Sequence, residues 1–184
     1  MGEAHPLWTF SLGVYGKPGV APACLVLQER YRLDINLLLF AAWAGAAHGH
    51  VLSDAEWRHA YATVGPWHAE LVRGLRRLRT RLKDGPPPAP GPQTEGLRSL
   101  VKKSELDAER IEQDLLYGLG GWPASAADPL QATAANLAHL LDIDGKPVAI
   151  AGEPEAAQIL AACLPDRPMS EVAAALRATR SAPG

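Results

Sequence analysis

Residues 34–48 read DINLLLFAAWAGAAH, a segment whose apolar residues go nearly all the way round a helix instead of lining one side. A helix of that kind has no face to give to water. Other helices must surround it, supplied by this chain or by a second copy in a homo-dimer. Its uninterrupted apolar part, Leu37 to Ala47, is about half of the ~20 residues that a bilayer requires. The segment is therefore expected to be the buried centre of a bundle and not a membrane span.

The flanking sequence supplies neighbours for it. Pro6 suits a helix start, and Trp8, Leu12 and Tyr15 follow at helical spacing with Phe10 beside them. Gly16, Pro18 and Gly19 mark a turn before a second helix, Val20 to Tyr31. Ser53 and Glu56 have the spacing of a capping box, with Leu52 and Trp57 as its hydrophobic staple, and Pro66 then either kinks that helix or divides it. Beyond Trp67, Leu71, Leu75, Leu78 and Leu82 form one narrow apolar stripe, as a surface helix would. The segment GPPPAPGP at 85–92 must be an extended connector. A further helix runs from Thr94 to about Tyr117, carrying Leu97, Leu100, Val101, Leu106, Ile111 and Leu115. Asp128, Pro129 and Gln131 open another that reaches Leu141. After a turn at 142–145 and a short apolar segment at 147–150, two alanine-rich helices, Pro154 to Leu164 and about Ser170 to Arg180, precede an SAPG tail.

No long segment alternates with period two, and the alanine-rich composition, poor in Ile, Thr and Phe, favours helices. The prediction is an all-α, single-domain orthogonal or irregular bundle around the central helix at about 34–48. Residues 1–150 would form the bundle, with the proline-rich loop at 85–92. Residues 151–184 would be a short helical extension that caps the bundle or hangs loosely from it.

Several function classes are disfavoured. A net charge of −2 over 184 residues gives no global pull toward nucleic acid or anionic membrane. Cys24 and Cys163 lie in apolar helical contexts and make neither a disulfide framework nor a ligand pattern, which suits a reducing cytoplasm. The start MGEAHPLW lacks the basic-then-apolar order of a signal peptide. Glycine-rich phosphate loops, a GxSxG elbow and HExxH are missing from the sequence, and Asp142, Asp144 and Gly145 make a turn, not a calcium loop. Among the histidines, His48 and His50 straddle the end of the central helix, while His59 and His68 are a half-integral number of turns apart. No metal site, cofactor or catalytic residue is assigned on this basis.

Two features remain as candidate sites. Asp34 and Asn36 stand at the head of the central helix, where they either cap it or face a pocket, with Glu29 and Arg30 close in sequence. The other feature is charge. Arg73, Arg76, Arg77, Arg79, Arg81 and Lys83 crowd one helix, and Glu105, Asp107, Glu109, Glu112 and Asp114 make the next one acidic. Registry argues against pairing the two runs. If the chain reverses near Ala89, Lys83 lies beside Glu95 and Arg77 beside Val101, so the basic run faces Arg98, Lys102 and Lys103. The acidic run then lies level with Trp67 and Pro66. The hairpin would be basic at its loop end and attract an acidic partner.

The order Trp8, Phe10, Tyr15, then PGV at 18–20, ACLVLQE at 23–29 and LDINLLLF at 33–40 with Trp43, followed by an arginine-rich segment from Leu75 to Lys83, resembles a family of small, mainly proteobacterial helical proteins of unknown function. The resemblance covers roughly residues 7–140, and the part from about Ala151 looks like an extension beyond it. It implies no reaction, cofactor or partner. It does imply that Cys24, Gln28, Asp34, Asn36 and Trp43 belong to the signature, and that a pocket would have Gln28, Asp34 and Asn36 at its rim with Trp43 or Tyr15.

The leading expectation is a non-enzymatic interaction or adaptor module that meets an acidic protein partner through Arg73, Arg76, Arg77, Arg79, Arg81, Lys83, Arg98, Lys102 and Lys103. The alternative is a small-molecule binder or enzyme of unknown reaction with a polar pocket at Tyr15, Gln28, Asp34, Asn36 and Trp43. Association with nucleic acid is a second alternative, weakened because the basic segment has no interleaved aromatics and no recognition helix.

Overall fold

In the computed structural model, which describes residues 5–123, 125–142 and 144–180, the chain forms α1 (Pro6–Tyr15), α2 (Val20–Tyr31), α3 (Ile35–His48), α4 (Asp54–Trp67), a π-helical turn (His68–Val72), α5 (Arg73–Asp84), α6 (Pro92–Leu119), α7 (Pro129–Ala138), α8 (Pro154–Cys163) and α9 (Met169–Arg180). The starts reflect local chemistry. Ser53 and Glu56 complete their capping box at α4, and Asp128 accepts from the Leu130 N–H ahead of Pro129 at α7. The one pairing of strand type among the described residues is an isolated bridge between Leu141 and Pro147. The expected SAPG tail lies outside the described residues.

Helix α3 is the centre of the bundle. From Asn36 to Gly45 every residue is buried, and each fully buried leucine or phenylalanine contributes roughly 1.5–3 kcal/mol relative to exposure. Its closest neighbour is α7. A Cβ on Gly45 would stand 2.5 Å from the Thr133 backbone nitrogen and Cα, so only glycine lets the two helices approach that far. Asn136 on α7 fastens the contact: its Nδ2 donates to Ala41 O (3.0 Å) and His50 O (2.9 Å), and its Oδ1 accepts from Leu52 N (2.9 Å). Gly49 ends α3 with φ of 61°, a left-handed conformation that suits glycine.

The C-terminal helices are part of this bundle. Ile159 and Leu160 on α8, and Val172 and Leu176 on α9, join the same buried cluster as α3. At the α2 end, Arg30 pairs with Glu153 and the Tyr31 hydroxyl donates to its other oxygen at 2.5 Å. Helices α8 and α9 therefore pack into the same core as α3.

Pro66 neither breaks α4 nor bends it to a stop. The helix continues through a π turn in which the Arg73 N–H donates to His68 O, and such a turn inserts one residue and rotates the helix beyond it. Helix α5 then runs along the surface with no buried residue, and the chain returns as α6. Registry is near the expected one, with Trp67 Nε1 donating to Ala108 O at 3.0 Å, but the basic and acidic runs do meet. Arg76 Nε donates to Glu105 Oε1 at 2.9 Å and its Nη2 to Glu109 Oε1 at 2.6 Å. The expectation that they stay apart is corrected because the long Arg76 side chain reaches past Lys102, its expected level, to Glu105 and Glu109, three and seven residues farther along α6. Helix α6 also inverts the usual pattern. Leu97, Leu100, Leu106, Ile111 and Leu115 are exposed, while Val101, Glu105, Ala108, Glu112, Gln113 and Leu116 are buried. No single helix among the described residues is long and apolar enough to cross a membrane.

Candidate functional site

Asp34 both caps and contributes to a site. Its Oδ1 accepts from the backbone N–H groups of Asn36 (2.8 Å) and Leu37 (3.4 Å), which satisfies the first turn of α3. That leaves Oδ2 with no hydrogen-bond partner. In the first turn of α3, Asn36 Nδ2 donates to Glu112 Oε2 at 2.9 Å, and Asn36 Oδ1 accepts from Gln113 Nε2 at 2.9 Å. Glu112 is thereby held by one oxygen, and its Oε1 is likewise without a hydrogen-bond partner. The π turn brings in the third group. His68 Nδ1 lies 3.1 Å from Asp34 Oδ2 and 3.3 Å from each of the two Glu112 oxygens. One imidazole nitrogen carries at most one proton, so it cannot serve all three oxygens. Asp34, His68 and Glu112 are 5%, 6% and 0% exposed.

This enclosure sets the electrostatics. Burial, and after it the charge of Asp34, push the Glu112 carboxyl well above the usual carboxylate range. Burial lowers His68, against the pull of Asp34. The three donor atoms are of the kinds that coordinate a metal ion.

Above the cluster lies a cavity of about 180 Å³. Asp34, Asn36, His68, Gln113, Glu109, Arg76 and Gln28 form its polar end, and Trp8, Leu12, Tyr15, Leu25, Ile35, Leu39 and Leu106 its apolar wall. Leu12, Tyr15, Leu25 and Leu106 are about half exposed, so they form its rim. Two further buried oxygens of this lining, Ser11 Oγ and Gln113 Oε1, have no hydrogen-bond partner. Cys24 also lines it, but burial pushes its thiol up to about 12, which leaves no thiolate for nucleophilic chemistry at neutral pH.

Arg76 joins this cavity to a second one. It contacts Glu105, Glu109 and, through Nη1, Gln28 Oε1. Although burial opposes ionisation, Arg79 and Arg76 hold Glu105 below the usual range. Glu109 is raised, burial outweighing Arg76. The second cavity, about 400 Å³, shares Gln28, His68 and Arg76 with the first and is otherwise bordered by Arg32, Leu33, Arg73, Arg77, Thr80 and Arg81.

Of the residues expected at a pocket, Tyr15, Gln28, Asp34 and Asn36 line the first cavity. Trp43 does not: it sits farther along α3 in an aromatic cluster, with ring centroids 5.7 Å from Tyr117, 5.8 Å from Trp122 and 4.7 Å from His48. The expected basic surface is divided. Arg76 and Arg79 pair with Glu105 and Arg98 with Glu95 inside the chain. Arg73, Arg77 and Arg81 border the second cavity, and Lys83, Lys102 and Lys103 are exposed.

The sequence pattern does not reveal His68, Glu112 and Gln113 as site residues. Comparing histidines along one helix cannot detect a cluster assembled from a helix cap, a π turn and a distant helix. A usable signal does exist in α6, where Glu105 and Glu112 share a helical face with Val101, Ala108 and Leu116.

A family model described as a protein of unknown function, DUF2390, matches residues 6–116, a span that holds every residue of the Asp34 cluster. No curated protein and no solved structure matches the chain.

Proposed function

The chain belongs to the DUF2390 family of proteins of unknown function, and from that premise we propose that it binds a small molecule in the cavity at the head of α3. The observation that carries this reading is the pair of buried oxygens, Gln113 Oε1 and Ser11 Oγ, left without hydrogen-bond partners along the lining of the cavity. An unpaired buried polar group costs about 1–3 kcal/mol, and a ligand with matching polar atoms would recover that cost. At about 180 Å³ the space exceeds the ~150 Å³ cavity that accepts a benzene-sized guest. The occupant is a small, ring-sized molecule whose apolar body lies against Trp8, Leu12, Leu39 and Leu106 and whose polar head meets Asp34, Asn36 and Gln113.

A thermal-shift screen of small polar aromatic and alicyclic compounds tests it, since a ligand that binds the folded state raises its melting temperature. Leu25→Trp fills the mouth from an exposed position. A ligand that stabilises the natural chain should fail to stabilise this variant, whose unliganded melting temperature stays unchanged. Equal stabilisation of both proteins would refute the assignment.

A second reading retains the acidic partner. It is favoured by Arg73, Arg77 and Arg81 around the second cavity, none of which takes part in an ion pair among the described residues. The double reversal Arg73→Glu with Arg77→Glu should abolish capture of an acidic partner in a pull-down, and unchanged capture would end this reading.

A further inference from the structure

We propose that Asp34 Oδ2, His68 Nδ1 and Glu112 Oε1 are three ligands to one divalent transition-metal ion. This goes beyond the small-molecule reading and does not depend on it, because the ion requires the three donors and not an occupied cavity.

The geometry divides each carboxylate into a fixed half and a free half. Asp34 Oδ1 is committed to the first turn of α3 and Glu112 Oε2 to the Asn36 amide at 2.9 Å, closer than its 3.3 Å approach to His68 Nδ1. The remaining oxygens are buried and without hydrogen-bond partners, and Asp34, His68 and Glu112 each offer one donor atom within 4.8 Å of the others. Donor atoms about 2.0–2.2 Å from one ion stand about 2.8–3.6 Å apart around a tetrahedron or octahedron. The 3.1 and 3.3 Å separations from Nδ1 fall in that range. The donors come from three separate segments, so the cluster is not a by-product of acidic residues along one helix. Asn36 holds Glu112 from behind and is itself held by Gln113, the kind of outer support that metal-ligating carboxylates receive.

A second, independent feature points to an occupant. Gln113, 3% exposed, leaves its Oε1 without a hydrogen-bond partner in the lining that also contains Asp34 and His68. A metal with only three protein ligands retains open positions, and water bound there would donate to such an oxygen. One imidazole with two carboxylates suits Zn²⁺, Mn²⁺ or Fe²⁺ better than Mg²⁺ or Ca²⁺, which favour all-oxygen shells.

The competing account is a proton held between the two carboxyl groups with no metal at any stage, and a titration separates the two. The chelator-treated 184-residue chain is titrated with Zn²⁺, Mn²⁺ and Mg²⁺ by calorimetry. One equivalent of Zn²⁺ or Mn²⁺ should bind with a dissociation constant of about 1 µM or below, and Mg²⁺ far more weakly. Asp34→Asn keeps the helix cap, and Glu112→Gln keeps an acceptor for Asn36. Each should weaken binding by at least about 100-fold, with circular dichroism spectra like those of the natural chain. If Glu112→Gln does not fold, Asp34→Asn decides alone. Leu25→Trp should retain the metal, so failure of the cavity reading and failure of this one give different results. Lack of stoichiometric uptake by the natural chain, or equal affinity in the Asp34→Asn variant, overturns the proposal.

Discussion

The Glu56 carboxylate accepts hydrogen bonds from the Ser53 backbone N–H and hydroxyl, both at 2.7 Å, and from Trp122 Nε1 at 2.6 Å, with His50 Nε2 at 2.9 Å. Burial alone would raise it, yet these partners hold it down to about 2, below its ordinary 4.5. A carboxyl whose folded value is depressed contributes stability that is present above the unfolded value and is lost as pH falls through the folded one. Glu56→Gln should therefore be less stable than the natural chain at neutral pH. That difference should close between about pH 4.5 and 2 in denaturant midpoints measured across the range; a gap independent of pH would show that the carboxylate is not held this way. The same logic of local hydrogen bonding makes this residue legible, because Ser53 and Glu56 are three apart. Asn36 stands out by its place beside Asp34 at the head of the central helix, and Gln28 through the family resemblance, while Glu112 has neither signal. Only the helical face that it shares with Val101, Ala108 and Leu116 distinguishes Glu112 from Asp107 or Asp114.

At the scale of elements, the spacing of α3 and α7 depends on what Gly45 lacks. Alanine is intrinsically the better helix former by about 1 kcal/mol, but here its Cβ would meet the Thr133 backbone at 2.5 Å, and backbone has nowhere to go. Gly45→Ala should destabilise by about 1–3 kcal/mol. Gly74→Ala on α5, where nothing lies within 4 Å of the added carbon, should instead stabilise by about 0.5–1 kcal/mol. Urea unfolding of the two variants gives opposite signs if close approach, and not helix propensity, governs the first. The helices themselves can be read from caps, glycines and prolines, and most boundaries fall within a residue or two. The π turn cannot. A proline predicts a kink or a stop, and whether the chain absorbs it by one extra residue depends on what α5 must reach, here Glu105 and Glu109 through Arg76.

For the whole molecule, the family match ends at residue 116, but the hydrophobic core does not. Ile150, Ile159, Leu160 and Val172 are fully buried in the cluster that encloses α3. A chain truncated after residue 150 would leave α2 and α7 facing water over the area that α8 and α9 now cover. It should lose cooperative thermal unfolding and bind a dye for exposed apolar surface, whereas a melting curve like that of the full chain would show that the last two helices are dispensable.

What the sequence determined by itself was everything decided over a few residues: an all-α chain, its helix starts, and a central helix apolar on all sides that had to be enclosed. It also marked the entrance of that helix as the place where polar groups were unexplained. Only the tertiary structure decided that Asp34 is both a cap and part of a cluster, and that the acidic face of α6 turns inward while its leucines turn out. Burial of Glu112 depends on which face of a 28-residue helix meets α3. That rotation is fixed by contacts with Asn36, Arg76 and His68, which lie far from Glu112 along the chain; the local pattern places Glu112 on one face with Val101, Ala108 and Leu116 but does not say what that face meets.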